Sequence, residues 1–274
     1  MNKNVLLVND VAGYGKVALS AMMPVLSSYE CVTYNLPTAL ISNTLDYGKF
    51  CIMDTTDYMK QTVDIWRQLG FEFDCITTGF IASDKQVEII NDFVLEHKDA
   101  LLIVDPIMGD EGKLYNGVPE ETIVHMRNLA KNADILLPNY TEATFLTGLN
   151  VGSSKVTKAE AMEMIDALRK NGSKSVVISS LVDKDSGTNY VLGYSHTEDE
   201  YFEIPFEMVP VFFPGTGDIF SSVIIGEYLN KVSLKESVAK AMKFVRLMVD
   251  ENAYNIDKLN GVPVEKYLTE LKNL

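Results

Sequence analysis

The sequence predicts an α/β fold built on a doubly wound, mostly parallel central sheet with helices on both faces. Two observations carry this expectation. Short apolar runs alternate with longer amphipathic segments along most of the chain, and polar or glycine-containing turns follow the ends of those runs. Strands joined by helical crossovers run parallel, and a parallel sheet must be covered on both sides. The 274 residues, 47% of them apolar, can bury one large core.

The apolar runs at 5–8, 31–36, 75–78, 101–104, 135–137 and 176–178 read as buried strands. Met59, Val63, Trp66 and Leu69 recur at spacings of three and four, which predicts a helix that Gly70 stops. Thr157 with Glu160 forms a capping box, and Gly172 closes the helix it opens. Ser233 with Glu236 opens another, carried by Val238, Met242, Val245 and Val249. The stretch 188–204 breaks the rhythm, because Tyr190-Val191-Leu192 and Tyr201-Phe202-Glu203-Ile204 read as an antiparallel pair. No repeat, low-complexity tract or Pro/Gly-rich linker interrupts the chain, so a single domain over residues 1–274 is expected.

In an open parallel sheet, ligands sit beyond the carboxyl ends of the strands. The first strand is expected to exit into Asn9-Asp10 and the third into Gly79-Phe80. The fourth exits into Asp105-Pro106-Ile107-Met108-Gly109-Asp110, the fifth into Pro138-Asn139-Tyr140-Thr141-Glu142, and the sixth into Ser179-Ser180. Each alone could be a loop or a cap. Five of them on one rim look like a site.

Composition narrows the ligand. The chain has 24 Lys and Arg against 38 Asp and Glu, a net charge of −14, which repels nucleic acid and anionic membrane. A nucleotide substrate stays open, because Mg2+ and backbone amides can neutralise a triphosphate. Three cysteines without a CxxC pair read as structural residues of a reducing compartment. No signal peptide or membrane-length apolar run is visible, and a cytoplasmic protein is expected. His97, His125 and His196 have no ligand spacing and read as surface residues.

Three segments carry chemistry. Gly215-Thr216-Gly217-Asp218 precedes an apolar helical run, so its amides and the helix dipole could hold an anion without a side-chain cation. Asp218 would otherwise serve only as a first-turn carboxylate. Asn139 and Glu142 open a short helix, either as simple caps or as oxygen ligands organising Mg2+ and its waters. Asp105 and Asp110 bracket a tight turn, and three carboxylates on one rim are costly unless a cation or phosphates are expected there. Gly13-Tyr14-Gly15-Lys16-Val17-Ala18 matches GxGxxA, but four residues separate it from Val8, the expected strand end, and it lacks the acidic residue expected about 20 residues later. No Gly-Lys pair is followed by Ser or Thr, so a Walker A loop is absent.

Taken in chain order, the segments 105–110, 139–142 and 215–218 resemble the ribokinase-like superfamily, and within it the pyridoxal/pyridoxamine (vitamin B6) kinases. The resemblance runs from about Val5 to about Leu229 and includes Leu36-Pro37-Thr38-Ala39-Leu40-Ile41-Ser42-Asn43. It implies a three-layer fold and transfer of the ATP γ-phosphate to a hydroxymethyl group on an aromatic heterocycle. Asp218 would accept the alcohol proton, and the amides of Gly215, Thr216 and Gly217 would stabilise charge on the transferred group. Glu142 would hold Mg2+ through water with Asp105 assisting. Asn139, Asp110 and Ser179 would contact the nucleotide phosphates, and Tyr115 would lie on a segment covering ATP. Asn9, Gly15, Thr44, Leu45 and Phe80 would face the acceptor, and related kinases set the expectation of a homodimer. The chain departs from the family at Thr44 and Leu45, where Ser-Asn-His-Thr-Gly is common, and at Leu137, where a side-chain oxygen sometimes helps bind a monovalent cation. Two alternatives stand beside this reading. One is a hydroxymethylpyrimidine kinase of thiamine synthesis, and the other a non-catalytic sensor of B6 or nucleotide.

Overall fold

The computed structural model describes residues 2–274. The chain divides into two compact units, Met1–Leu101 with Val209–Leu274, and Leu102–Met208.

The first unit starts with β1 (Asn4–Ala12), α1 (Ala18–Ser28) and β2 (Val32–Ile41), followed by β3 (Ile52–Asp54), α2 (Thr56–Leu69), β4 (Cys75–Thr78) and α3 (Asp84–Glu96). Val5 to Val8 of β1 are at most 1% exposed, as expected of a strand covered on both faces. β1 pairs in parallel with β2 on one side and β4 on the other, and β3 adds antiparallel to β2, giving the order β4-β1-β2-β3. Gly70 caps α2 in the left-handed conformation, as its position in the sequence predicts. Met59 and Val63 are buried, whereas Leu69 is 60% exposed. Burial on this helix tapers at Trp66, which meets Tyr34 edge-on with ring centroids 6.1 Å apart.

The second unit holds β5 (Leu101–Val104), the hairpin β6 (Gly109–Asp110) and β7 (Lys113–Leu114), α4 (Glu121–Ala130), β8 (Ile135–Leu136), α5 (Tyr140–Thr147) and α6 (Lys158–Lys170). β9 (Ser175–Val182), β10 (Asn189–Ser195) and β11 (Glu200–Phe206) complete it. Strand order is β11-β10-β9-β8-β5, with β5, β8 and β9 parallel and the last two antiparallel. The antiparallel pair read from residues 188–204 is therefore present. Both halves of the Thr157–Glu160 capping box form.

The first unit resumes with α7 (Thr216–Leu229), α8 (Leu234–Asn252) and α9 (Leu268–Asn273). α7 packs against α1 and α8, and its Ile219, Val223, Ile224 and Ile225 are fully buried. On α8 the buried stripe is Leu234, Val238, Ala241, Phe244, Met248 and Val249, so Met242 and Val245 lie at its margin.

Several expectations need correction. β1 does not exit at Asn9-Asp10 but continues to Ala12, β2 reaches Ile41, and β9 runs through Ser179-Ser180 to Val182. Polar side chains suggested strand ends there, but strand extent is set by the main-chain ladder, which tolerates them. β3, three residues long and exposed throughout although Ile52 and Met53 are apolar, was not anticipated. Of the histidines, only His196 is exposed. His125 is buried on α4, and His97 is half-buried with its ring 4.4 Å from that of Phe93. An aromatic ring with polar edges can fill a core position that sequence reading assigns to the surface. No disulfide joins the cysteines among the described residues, and Cys51 is exposed, so no packing role holds it.

Candidate active site

In the first unit, Asp218 lies in the first turn of α7 and is 8% exposed. One carboxylate oxygen accepts the backbone N–H of Ala18 at 2.8 Å, and the other accepts from Asn9 Nδ2 at 3.2 Å. Ala18 opens α1 with a φ of 48°, a left-handed conformation that costs a non-glycine residue about 1–2 kcal/mol. Burial pushes the Asp218 carboxyl up to about 6, opposed by those two donors and by its own backbone N–H.

Asn9 organises this region. Its Oδ1 accepts the N–H of Phe80 at 2.8 Å and that of Asp10 at 3.0 Å. Gly79 is what lets it lie so close, since a Cβ there would come within 2.4 Å of the Asn9 carboxamide. Thr38 Oγ1 donates to the Phe80 carbonyl at 2.7 Å, so the turn after β4 is held from two sides. Phe80 itself is 9% exposed.

The N-terminus of α7 abuts the loop after β1. Gly215, its N-cap, has a φ of 84°, and an added Cβ would stand 1.9 Å from the carbonyl oxygen of Lys16. Gly215, Thr216 and Gly217 place three amides at a helix start, where N–H groups have no intrahelical acceptor. Gly15 lies against the Thr44 methyl. The Thr44 hydroxyl donates to the Leu259 carbonyl at 2.8 Å, and Leu45, half-buried, begins a 3-10 turn whose Tyr47 hydroxyl donates to Asp257 at 2.8 Å. The first unit thus brings together Asp218, Asn9 and Phe80, and separately Gly15 and Thr44.

In the second unit, Asn139 caps α5 reciprocally with Glu142. Asn139 Oδ1 accepts the Glu142 N–H at 2.9 Å, and Glu142 Oε2 accepts the Asn139 N–H at 2.8 Å. Glu142 Oε1 accepts the Met108 N–H at 3.1 Å, and Asn139 Nδ2 donates to the Gly109 carbonyl at 2.8 Å. These bonds fasten the turn after β5 to the N-terminus of α5. Burial first, and then the charges of Asp105 and Asp110, raise Glu142 well above the ordinary carboxylate range against the pull of its two amide donors. Asp110 is raised too, by burial, although it accepts the Glu111 N–H at 2.7 Å. Ser179 bridges to Asn139 through the main chain, and Tyr115 follows β7 with its N–H donated to the Met108 carbonyl at 3.0 Å. This unit brings Asp105, Asp110, Asn139, Glu142 and Ser179 into one neighbourhood.

Among the described residues, no group of three or more His, Cys, Asp and Glu side chains is placed to hold a metal ion directly. Both Glu142 oxygens already accept an amide. The set offers oxygen acceptors to the water shell of a hard cation, which fits Mg2+, an ion that retains water and binds through few carboxylates together with substrate phosphates.

Sequence reading missed Asp10 as a candidate. It is 7% exposed, and burial together with the charge of Asp218 pushes it up to about 7. The available signal was a carboxylate beside Asn9 at the end of the first apolar run.

A family model described as phosphomethylpyrimidine kinase matches residues 20–264. The chain is 32% identical to a Bacteroides thetaiotaomicron protein assigned to the phosphomethylpyrimidine kinases and solved with pyridoxal, with a TM-score of 0.93 over 99% of this chain and 96% of that one. The structure of pyridoxal kinase from Lactobacillus plantarum matches at 26% identity and a TM-score of 0.88, covering 99% and 97% of the two chains. The pyridoxal kinase PdxY of Burkholderia lata is 27% identical over 271 residues, 93% of this chain and 92% of that protein. These likenesses agree with the three-layer α/β class expected from the sequence.

Proposed function

The chain belongs to the phosphomethylpyrimidine kinase family, with pyridoxal kinases of the ribokinase-like superfamily among its relatives, and on that footing we propose that it transfers the γ-phosphoryl group of ATP to the 5′-hydroxymethyl group of a B6 vitamer. The observation that carries the reading is the buried Asp218 carboxylate, pinned by Asn9 and Ala18 at the start of α7. With a pKa of about 6, it is ionised at neutral pH yet basic enough to take a proton.

In the proposed reaction the acceptor oxygen bonds to the γ-phosphorus as its proton passes to Asp218. The bond from phosphorus to the bridging oxygen breaks, and ADP leaves. The amides of Gly215, Thr216 and Gly217 stabilise charge on the transferred group, the part of phosphoryl transfer that a protein can supply. Asn9, Gly15, Thr44, Leu45 and Phe80 face the acceptor. Asn139, Asp110 and Ser179 contact the nucleotide phosphates, and Tyr115 shields ATP from water. Glu142 and Asp105 would hold Mg2+ by accepting hydrogen bonds from its water shell. The chemistry supplied there by such an ion would be neutralisation of phosphate charge. The reading treats residues 1–274 as one kinase domain in a cytoplasmic homodimer, which light scattering would test. Among the described residues, no helix is long and apolar enough to cross a membrane.

A second acceptor, hydroxymethylpyrimidine, is favoured by the description of the matching family. ADP release measured with pyridoxal, pyridoxamine, pyridoxine and hydroxymethylpyrimidine separates the two. Turnover of the three vitamers supports the proposal, and turnover of the pyrimidine alone replaces the acceptor. No response to any of the four refutes both.

A further inference from the structure

The chain that follows α8 is bonded to two loops far from it in sequence. Asp257 Oδ2 accepts the hydroxyl of Tyr47 at 2.8 Å and that of Tyr14 at 3.5 Å, while its Oδ1 accepts the Leu259 N–H at 3.1 Å. The Tyr14 contact is long for a bond between two oxygens, so the Tyr47 bond is the stronger. The two phenol rings lie 6.1 Å apart, and the Tyr14 carbonyl accepts the Thr44 N–H at 3.2 Å. Beside Asp257, the Leu259 carbonyl accepts the Thr44 hydroxyl at 2.8 Å, and the Asn260 carbonyl accepts the Lys16 N–H at 2.8 Å. Residues 257–260 thus clasp the loop after β1 and the loop after β2 together.

The clasp grips the 3-10 turn Leu45–Tyr47 from both ends, at Thr44 and at Tyr47, with Leu45 between them. No residue of the turn is buried, so apolar packing does little to fix it. Its own main-chain bonds are Tyr47 N–H to the Thr44 carbonyl at 3.3 Å and Gly48 N–H to the Leu45 carbonyl at 2.9 Å. A turn this short has poor internal geometry and takes its shape from what holds it outside. Asp257 is exposed and Tyr14 is 52% exposed. Bonds in contact with water add little to global stability and open locally. The Asp257 carboxylate is therefore placed to set the geometry of a loop rather than to hold the fold.

We propose that Asp257 is a positioning residue, a latch that holds Tyr47 and Tyr14 so that the turn at Leu45 is already ordered when the acceptor arrives. The inference rests on the kinase reading above, in which Gly15, Thr44 and Leu45 face the acceptor. Asp257 acts through the two tyrosines and takes no part in the transfer itself. With the latch open, the turn is ordered in only a fraction of molecules, and acceptor affinity falls by that fraction. Once the acceptor is bound the turn is in place, and Asp218 and the amides of α7 are as before. The bond from Thr44 to the Leu259 main chain survives loss of the carboxylate, so the loss is partial.

The test uses Asp257→Asn, which keeps an oxygen for the Leu259 N–H but turns a donor toward the phenols, and Tyr47→Phe, which removes the same bond from the other side. The acceptor is whichever of pyridoxal, pyridoxamine, pyridoxine and hydroxymethylpyrimidine the wild type turns over fastest. In each variant its KM should rise about tenfold, with kcat and ATP KM within about twofold of wild type. The double variant should rise no further than either single one, because both changes open one latch. Hydrogen exchange at the Tyr47 and Gly48 amides should quicken in both, with Tm within about 2 °C of wild type. A merely structural carboxylate would instead lower Tm and leave acceptor KM unchanged, which overturns the proposal, as would KM effects that multiply in the double variant. Unchanged acceptor KM in an active Asp257→Asn protein overturns the latch alone and leaves the kinase reading standing. A wild type that turns over none of the four removes both.

Discussion

Gly215→Ala tests the geometry of the transfer site most directly. The added Cβ would lie 1.9 Å from the Lys16 carbonyl oxygen, 2.9 Å from its carbon and 3.1 Å from Val17 Cα. Ordinary separation between nonbonded heavy atoms is about 3.5 Å, so one backbone must retreat by roughly 1.5 Å. The left-handed φ of 84° adds about 1–2 kcal/mol for a residue with a side chain. Overpacking adds about 1–3 kcal/mol, so a total near 3 kcal/mol is expected. That corresponds to a Tm loss of about 6–12 °C. The retreating segment leads directly into Ala18, whose N–H binds Asp218, so the base loses its alignment. Turnover in an ADP-release assay should therefore fall at least a hundredfold below the melting range, more than a 3 kcal/mol loss of stability alone would cause in a still-folded enzyme. Gly217→Ala is the stability control, because its Cβ meets nothing within 4 Å, and its Tm should stay within about 2 °C. Wild-type Tm and turnover in Gly215→Ala would show that α7 does not abut Lys16 as described.

Two further outcomes follow from the carboxylates. Asp218→Asn should retain ATP binding by calorimetry while kcat falls by about 10²–10⁴, and the rise of kcat/KM through about pH 6 should vanish with it; a variant with wild-type turnover would remove Asp218 from the mechanism. A carboxyl raised in the folded state binds more protons there than in the unfolded chain. Asp10 and Asp218 together therefore make stability fall as pH rises from about 4 to about 7, and urea midpoints across that range should flatten in Asp10→Asn. Asp105→Asn removes a charge that repels Glu142, so Tm should hold or rise while the Mg2+ concentration for half-maximal rate increases about tenfold. Full activity of the wild type in excess EDTA would contradict the roles given to Asp105 and Glu142.

Much of the second unit was legible in local patterns. The Thr157–Glu160 and Asn139–Glu142 boxes form as their spacing implies, because a cap is a contact between residues three apart and needs no distant partner. Strand extents were less legible. Asn9, Asp10 and Ser179 lie inside strands since ladder hydrogen bonds depend on the neighbouring chain, not on the side chain in view. His125 was misplaced for the same reason, as its burial is decided by what packs onto α4.

The amino-acid order by itself determined the alternation of strands and helices, the caps, and the glycine-rich start of α7, all of which follow from short-range sterics and periodicity. Only the tertiary structure decided that Asp218 binds Ala18, 200 residues away, and that Asn9 joins it to the turn at Phe80. The same holds for Asp10, a polar residue in the sequence that becomes a buried carboxyl within the field of Asp218 where β1 outruns β4. Burial and proximity raise its pKa and that of Asp218, and neither property belongs to a residue until the chain around it has closed.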